Sequence, residues 1–285
     1  MGAMSGFAAL SLESVFETVA NQVVNWRQVQ YSLFGVALRQ VVEIGPIEEG
    51  CKFLAVLLPI YYLQRKYRLR DRSIFLFAIA VALGFTAEEN WIYLYHETAS
   101  IFDRSIGTPI HAMFSAPWGY ALGIYFSSNI RLRRHKNLIT QAWINSVIFH
   151  ALVNVLSIAW RYSPPINFLS YGLFPLLLWM FWRMEKLLRK VQGLSPIILI
   201  SGYTFQHRYW QRGLVLFALM LGGNAIFGLF LLVRQLSFLR PTQLLDTDVL
   251  WFILSRFFPN FIFAIIAVMI YRYLRYSARR QYFKI

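Results

Sequence analysis

Apolar runs long enough to cross a bilayer, separated by loops of very unequal basic charge, constrain this chain more than any other feature. A spanning helix needs about 20 mostly apolar residues. Seven segments approach or exceed that length: 47–63, 73–95, 107–130, 138–160, 166–182, 213–233 and 249–271. Inside hydrocarbon only helices and closed barrels satisfy their own backbone groups, and runs this long suit helices. Of 285 residues, 58% are hydrophobic and 14% charged, the composition of a polytopic membrane protein. The expected fold is all-α, a transmembrane helical bundle of 7–8 spanning helices.

The stretch 29–44 decides between seven and eight, because it is apolar yet carries Arg39, Gln40 and Glu43. Ahead of it, Leu12, Phe16, Val19, Val23 and Trp26 share one helical face, with Glu13, Glu17, Asn21 and Asn25 on another. That pattern predicts an N-terminal amphipathic helix over 7–27. Gly45-Pro46 predicts a break, with Pro46 in the first turn of the next helix. No internal repeat or low-complexity tract interrupts the chain. It reads as one membrane domain: N-terminal helices over 1–45, charge-bearing helices over 46–160, and further spanning helices with a basic tail over 161–285.

A net charge of +15 and a pI near 10.1 raise nucleic acid as a partner. The placement of the cations excludes it. Loops 64–72, 131–137 and 183–212 and the tail 272–285 hold 20 of the 28 Lys and Arg residues. The intervening loops 96–106, 161–165 and 234–248 hold 1, 1 and 2. This is the positive-inside pattern: the first group is cytoplasmic, the C-terminus with it, and the second external. The partner is the lipid bilayer. A single Cys excludes an internal disulfide framework, and no cleaved signal peptide is expected.

Within these runs, charge is expensive, roughly 2.5–3.5 kcal/mol per residue on insertion scales. Yet Glu48, Glu49 and Lys52 open the run from Ile47 to Leu63. On a helix Lys52 lies one turn beyond both glutamates, but adjacent residues point about 100° apart. Only one of the two glutamates is expected to pair with it, leaving the other toward the bundle interior. The plainer reading places all three at the external water interface. The segment 73–95 carries Glu88 and Glu89, with Phe85 and Glu89 on one face; Glu88 suits the lipid interface. Next, His111, Ser115, Gly119 and Gly123 follow at steps of four, the glycines suiting close helix packing. Ser146, His150, Asn154 and Ser157 form a polar stripe in 138–160 that must face other helices or a watery cavity. At 1.5 Å per residue, Glu89, His111 and His150 lie about 9, 6 and 15 Å from the external ends of their spans. Glu48 and Glu49 lie nearer still. Residues far apart in sequence therefore share one layer in the external half of the bilayer, which points to one site. Arg256 and the Gly222-Gly223-Asn224 stretch are lesser candidates, for charge neutralisation and close helix contact.

The ordered motifs resemble the PrsW family of intramembrane proteases, related to the CAAX prenyl and bacteriocin-processing proteases. The resemblance is carried by Glu48-Glu49-Gly50-Cys51-Lys52, Phe85-Thr86-Ala87-Glu88-Glu89-Asn90, His111-Ala112-Met113-Phe114-Ser115 and His150-Ala151-Leu152-Val153-Asn154. It covers about residues 45–160 and departs at Asn154, where the family also uses Asp. It implies an intramembrane endopeptidase acting on transmembrane or lipid-anchored protein substrates, in a bacterial plasma membrane, in site-1-type regulated proteolysis.

The implied catalytic set is Glu48, Glu49, Lys52, Glu89, His111, His150 and Asn154. In one version Glu48 or Glu49 is the general base, Lys52 holds the pair, Glu89 positions the water and both histidines stabilise the oxyanion. In the other, Glu89, His111 and His150 hold zinc. No short His-Glu-x-x-His signature selects the zinc version. A proton-coupled transporter and an inactive scaffold that binds membrane proteins are the competing functions.

Overall fold

The computed structural model describes residues 1–127, 133–194, 199–202, 204–240 and 242–282, with the side chains of 102, 103, 106, 133–136 and 279–282 excepted. All regular structure among them is helical. Helices α1 (Gly2–Val23), α2 (Trp26–Val29) and α3 (Leu33–Arg39) lead through a π-helical turn, Gln40–Ile44, into α4 (Gly45–Lys66). Then come α5 (Asp71–Tyr95), α6 (Ile101–Ser127), α7 (Arg133–Ile158), α8 (Leu173–Val191), α9 (Phe205–Leu236) and α10 (Thr247–Tyr282).

Four helical stretches are long and apolar enough to cross a membrane: Asp71–Tyr95, Asn137–Arg161, Phe205–Leu236 and Thr247–Ala278. Of the other expected spans, 47–63 lies within α4 and the described part of 107–130 within α6, whereas 166–182 opens as a 3-10 stretch, Ile166–Gly172, before α8 begins; among the described residues these three fall outside that set. Helix α4 carries Glu48, Glu49 and Lys52, and α8 carries Arg183, Glu185, Lys186, Arg189 and Lys190. The long cytoplasmic loop expected from 183 is shorter, since α8 runs to Val191. The apolar patch within it, Ile197 to Ile200, lies partly outside the described residues.

The break expected at Gly45-Pro46 is absent. Helix continues from Leu33 to Lys66 by widening into the π turn. Pro46 lacks an amide proton, and its ring clashes with the carbonyl four residues back in an α-helix. One π turn, in which Gly45 N–H reaches the Gln40 carbonyl, removes that conflict without ending the helix.

The described chain forms two compact units, one of 1–99 with 104–194 and one of 100–103 with 195–285. In the first, Val56 and Ile60 of α4 pack with Ile74, Ala78 and Val81 of α5, Trp118, Ala121 and Leu122 of α6, and Ala142 of α7. The glycine stripe of α6 is a packing device: a Cβ on Gly119 would lie 2.6 Å from Ala78 Cβ, and one on Gly123 3.0 Å from the Asp71 carbonyl. In the second unit α9 and α10 pair along their length. Only 6% of each apolar stretch is buried, which leaves an outward apolar surface suited to lipid.

Candidate functional site

The residues singled out from four separate stretches converge in the first unit. Lys52 is fully buried, and its ammonium sits 2.9 Å from Glu49 Oε1, 3.2 Å from Glu48 Oε2 and 2.8 Å from His111 Nδ1. Both glutamates therefore pair with Lys52, contrary to the expectation from helical angles. The long flexible stem lets Nζ settle between the i−3 and i−4 positions, and three N–H donors meet three acceptors. The ammonium also lies over the Phe85 ring, 4.0 Å from its centre.

Glu49 is fully buried and held from both sides. Its Oε2 accepts from Trp118 Nε1 at 3.0 Å and from Ser115 Oγ at 3.4 Å, while Oε1 accepts from Lys52. Glu48 is less enclosed. Its Oε2 lies 3.7 Å from His150 Nε2 and 3.9 Å from His111 Nδ1. From α5, Glu89 Oε2 meets His111 Nε2 at 3.0 Å and Arg104 Nη2 at 3.1 Å. An ammonium can only donate, so His111 Nδ1 accepts from Lys52. The ring proton then sits on Nε2 and is donated to Glu89.

Aromatic packing fixes both imidazoles. His111 stacks on Phe85 at 5.8 Å between centres, and His150 stacks on Phe114 at 4.5 Å and 10°. Ser146, on the predicted polar stripe, donates to the Phe114 carbonyl at 2.5 Å and so holds α6 to α7 beside that ring. His150 Nδ1 is 3.4 Å from Glu49 Oε1 but out of line for a hydrogen bond. Asn154 donates to Gln40 of the π turn at 2.8 Å. Gln40 is thus a partner of Asn154, and the bond ties α7 to the start of α4.

Three participants escaped the sequence reading. Arg104, counted as a loop cation, binds Glu89 and also donates to Asn90 Oδ1 at 2.5 Å, while Asn90 donates to Thr108 Oγ1 at 2.9 Å. Trp118 and Gln40 are the others. Arg104, Thr108, His111, Ser115 and Trp118 follow the three-and-four spacing of one helical face. A strict count in fours from His111 drifts off that face toward the packing glycines. Glu88 is not at the lipid interface. It is 4% exposed and lies under α1, beside Gly6.

The cluster offers ligands as well as hydrogen bonds. One atom each from Glu48, Glu89 and His111 lie within 4.8 Å of one another. Three carboxylates meet two permanently cationic side chains here, leaving surplus negative charge. Two carboxylates and an imidazole suit zinc and other first-row divalent ions. This set has Glu48 where the expected one had His150, whose Nε2 approaches Glu48 instead of Glu89.

An all-helical membrane protein that buries glutamates and histidines from four helices in one cluster has the makings of a membrane-embedded enzyme. The chain belongs to the PrsW family of intramembrane metalloproteases, whose profile matches residues 1–180. It is also similar to "Protease PrsW" of Clostridioides difficile (strain 630), 28% identical over 130 residues. That match covers 43% of this chain and 53% of the relative, so the chain spans about half the relative's length. No solved structure matches.

Proposed function

We propose that this chain is an intramembrane endopeptidase that cleaves transmembrane or lipid-anchored proteins in the external half of a bacterial plasma membrane, with its C-terminus cytoplasmic. The observation that carries the reading is the convergence of Glu48, Glu49, Lys52, Glu89, His111 and His150 in one buried cluster. Family membership and the basic-loop pattern support the reaction class and the orientation. Regulated proteolysis of the site-1 type is the biological role this reading favours.

Glu48, Glu89 and His111 are the residues that would hold a divalent metal, with zinc the first choice. Such an ion would supply an acidified water and a polarised peptide carbonyl. The chain's own residues do the rest. Glu48, the carboxylate of the α4 pair with fewest hydrogen bonds, faces His150, which lies outside that ligand set and would take up and return the proton of the attacking water. Lys52 and Glu49 form the anchor: Trp118 and Ser115 fix Glu49, and Glu49 fixes Lys52, which holds His111 at Nδ1; for His111 to bind the ion, Nε2 would have to give up the proton it shares with Glu89 and become the ligand atom. Arg104 orients Glu89 from the outer side. Asn154 acts at one remove, through Gln40, on the turn that starts α4.

The test is cleavage of a panel of transmembrane proteins in liposomes by wild type, Glu89→Gln and His150→Ala, with chelator and then added zinc. Cleavage lost in both variants, and lost to chelator and restored by zinc, is the expected result. No cleavage by wild type across the panel, or equal cleavage by the variants, rejects the protease in favour of a transporter or scaffold. Chelator-insensitive cleavage that both variants lose rejects only the metal.

A further inference from the structure

Glu88 and Glu89 are adjacent on α5 and differently served. Glu89 has two cationic or imidazole partners, whereas neither carboxylate oxygen of Glu88 has a hydrogen-bond partner although the side chain is buried. What buries it is α1. Gly2 lies against α5 so closely that a Cβ there would be 2.7 Å from Gly84 Cα. A Cβ on Gly6 would overlap the Glu88 carboxylate. One turn on, Ala9 packs with Cys51 of α4 and Phe85 of α5. Phe85 is the ring that carries both Lys52 and His111. A helix lying where α1 lies is therefore one side chain from the site.

The hold on α1 differs in kind along its length. Its buried residues are Ser5, Gly6 and Ala9, which remove little apolar surface from lipid or water, while Met4, Phe7 and Leu10 face outward. Small residues allow close backbone approach, the usual basis of helix contact in a bilayer. The far end is tied by charge. Glu17 pairs with Arg27 at 2.6 Å and with Arg39 at 3.2 Å, and the hydrogen bond to Arg27 keeps its carboxyl below the ordinary range. Arg39 in turn binds buried Glu43, which also accepts from Trp26. The arrangement is one end tied by charge and one end seated closely through small residues, with an unsatisfied carboxyl beneath the seated one.

We propose that the α4–α5 seam beneath α1 is the docking site for the substrate's transmembrane helix, and that α1 occupies it when no substrate is bound. The helix it accepts carries Gly, Ala or Ser at the spacing of Gly2, Ser5, Gly6 and Ala9, with a hydrogen-bond donor for Glu88. Larger side chains meet the backbone at Val81 and Gly84. Cleavage of the docked helix rests on the protease reading, but docking itself can be measured without cleavage.

The probe is a synthetic transmembrane helix of about 20 residues with small residues at that spacing and one cysteine in the place of Ala9. It is placed in liposomes, with diamide as the thiol oxidant, together with the Glu89→Gln variant, whose only thiol is Cys51. The expected result is a disulfide to Cys51, formed about tenfold faster than with a helix bearing leucines at the small positions. Equal rates for the two helices would mean a non-selective crevice, and no disulfide with either would mean that α1 never leaves; each overturns the proposal. In parallel, Ala9→Cys oxidised onto Cys51 with diamide, which takes up the two electrons and two protons, locks α1 down. The locked enzyme is expected to lose cleavage by about tenfold or more and to regain it on reduction. Cleavage at the wild-type rate with the disulfide intact overturns the proposal, whereas failure of wild type to cleave counts against the protease and leaves the peptide result to stand alone.

Discussion

The helices around the Glu–His cluster and the α9–α10 pair meet the same problem in opposite ways. Around the cluster, ionised groups are buried and nearly all are answered by a partner: Lys52 by three acceptors, Glu49 by three donors, Glu89 by Arg104 and His111. In the α9–α10 pair almost nothing is buried. What meets there are small residues and side chains, Gly222 against Ala267 and Gly228 against Asn260, beneath an apolar surface suited to lipid. The comparison separates what a membrane fold needs from what a site needs. Helix pairing asks only for small residues and lipid-compatible surface, whereas a charge network earns its place by holding reactive groups in register.

Removing the centre of the network is the harshest way to test the contrast. Lys52→Met keeps the stem and deletes the charge, leaving Glu48, Glu49 and His111 Nδ1 facing one another in a buried space. Breaking a buried ion pair from one side costs about 3–5 kcal/mol. The expected outcome is loss of monodisperse protein in detergent, or a large fall in its thermal midpoint. On the α9–α10 pair, Leu219→Met at an exposed position is expected to shift the midpoint very little. A Lys52→Met protein as stable as wild type would show that the charges do not hold these helices together.

Next in size is a change that spares the fold and removes the chemistry. His111→Gln and Glu89→Gln keep comparable volume and a carbonyl acceptor, and Glu89 and Arg104 are partly exposed, so the fall in thermal midpoint is expected to be well short of the Lys52→Met loss. Proteolysis is expected to fall about 10²–10⁴-fold. If activity survives at the wild-type level, the cluster is structural and the reaction lies elsewhere.

How far the sequence disclosed this arrangement depends on the kind of signal. Helices were legible from apolar runs, and the convergence of Glu48, Glu89, His111 and His150 was foreshadowed by their similar depths in the sequence runs. The partners of those residues were not. Arg104 looked like a loop cation because α6 begins at Ile101, six residues before the apolar run. Trp118 was hidden because an indole in a membrane helix is ordinary until its N–H is seen to point at Glu49. Glu88 was misplaced because nothing local to α5 says that α1 will cover it. Side-chain reach also overrode geometry at Lys52, where a flexible stem let two diverging glutamates share one ammonium.

A smaller effect is expected within the α9–α10 pair, at its tightest contact. A Cβ on Gly228 would lie 2.3 Å from Asn260 Oδ1, and Asn260 Nδ2 donates to the Arg256 carbonyl. Arg256 itself sits over Phe252, 5.9 Å from the ring centre. Gly228→Ala is expected to cost about 1–3 kcal/mol through overpacking. Asn260→Ala in the same protein is expected to recover most of it, because the obstruction is a side chain. Thermal unfolding of the two single variants and the double variant measures the coupling. Additive losses would mean that the helices separate locally instead of crowding.

The smallest expected effect probes the join between network and scaffold. Gln40→Leu removes the acceptor for Asn154 and leaves the π turn to be held by its own backbone. One neutral hydrogen bond contributes about 0.5–1.5 kcal/mol, so the thermal midpoint is expected to fall only slightly. Activity is expected to fall more than stability does, because Glu48 and Glu49 come within two helical turns of the π turn and inherit any rotation of it. The same variant made with Asn154→Leu removes both partners and leaves no orphaned amide, and it is expected to recover stability without recovering rate. If rate and stability return together, Asn154 and Gln40 serve packing alone, and the register of the two glutamates is set by Lys52, Trp118 and the walls of the cluster.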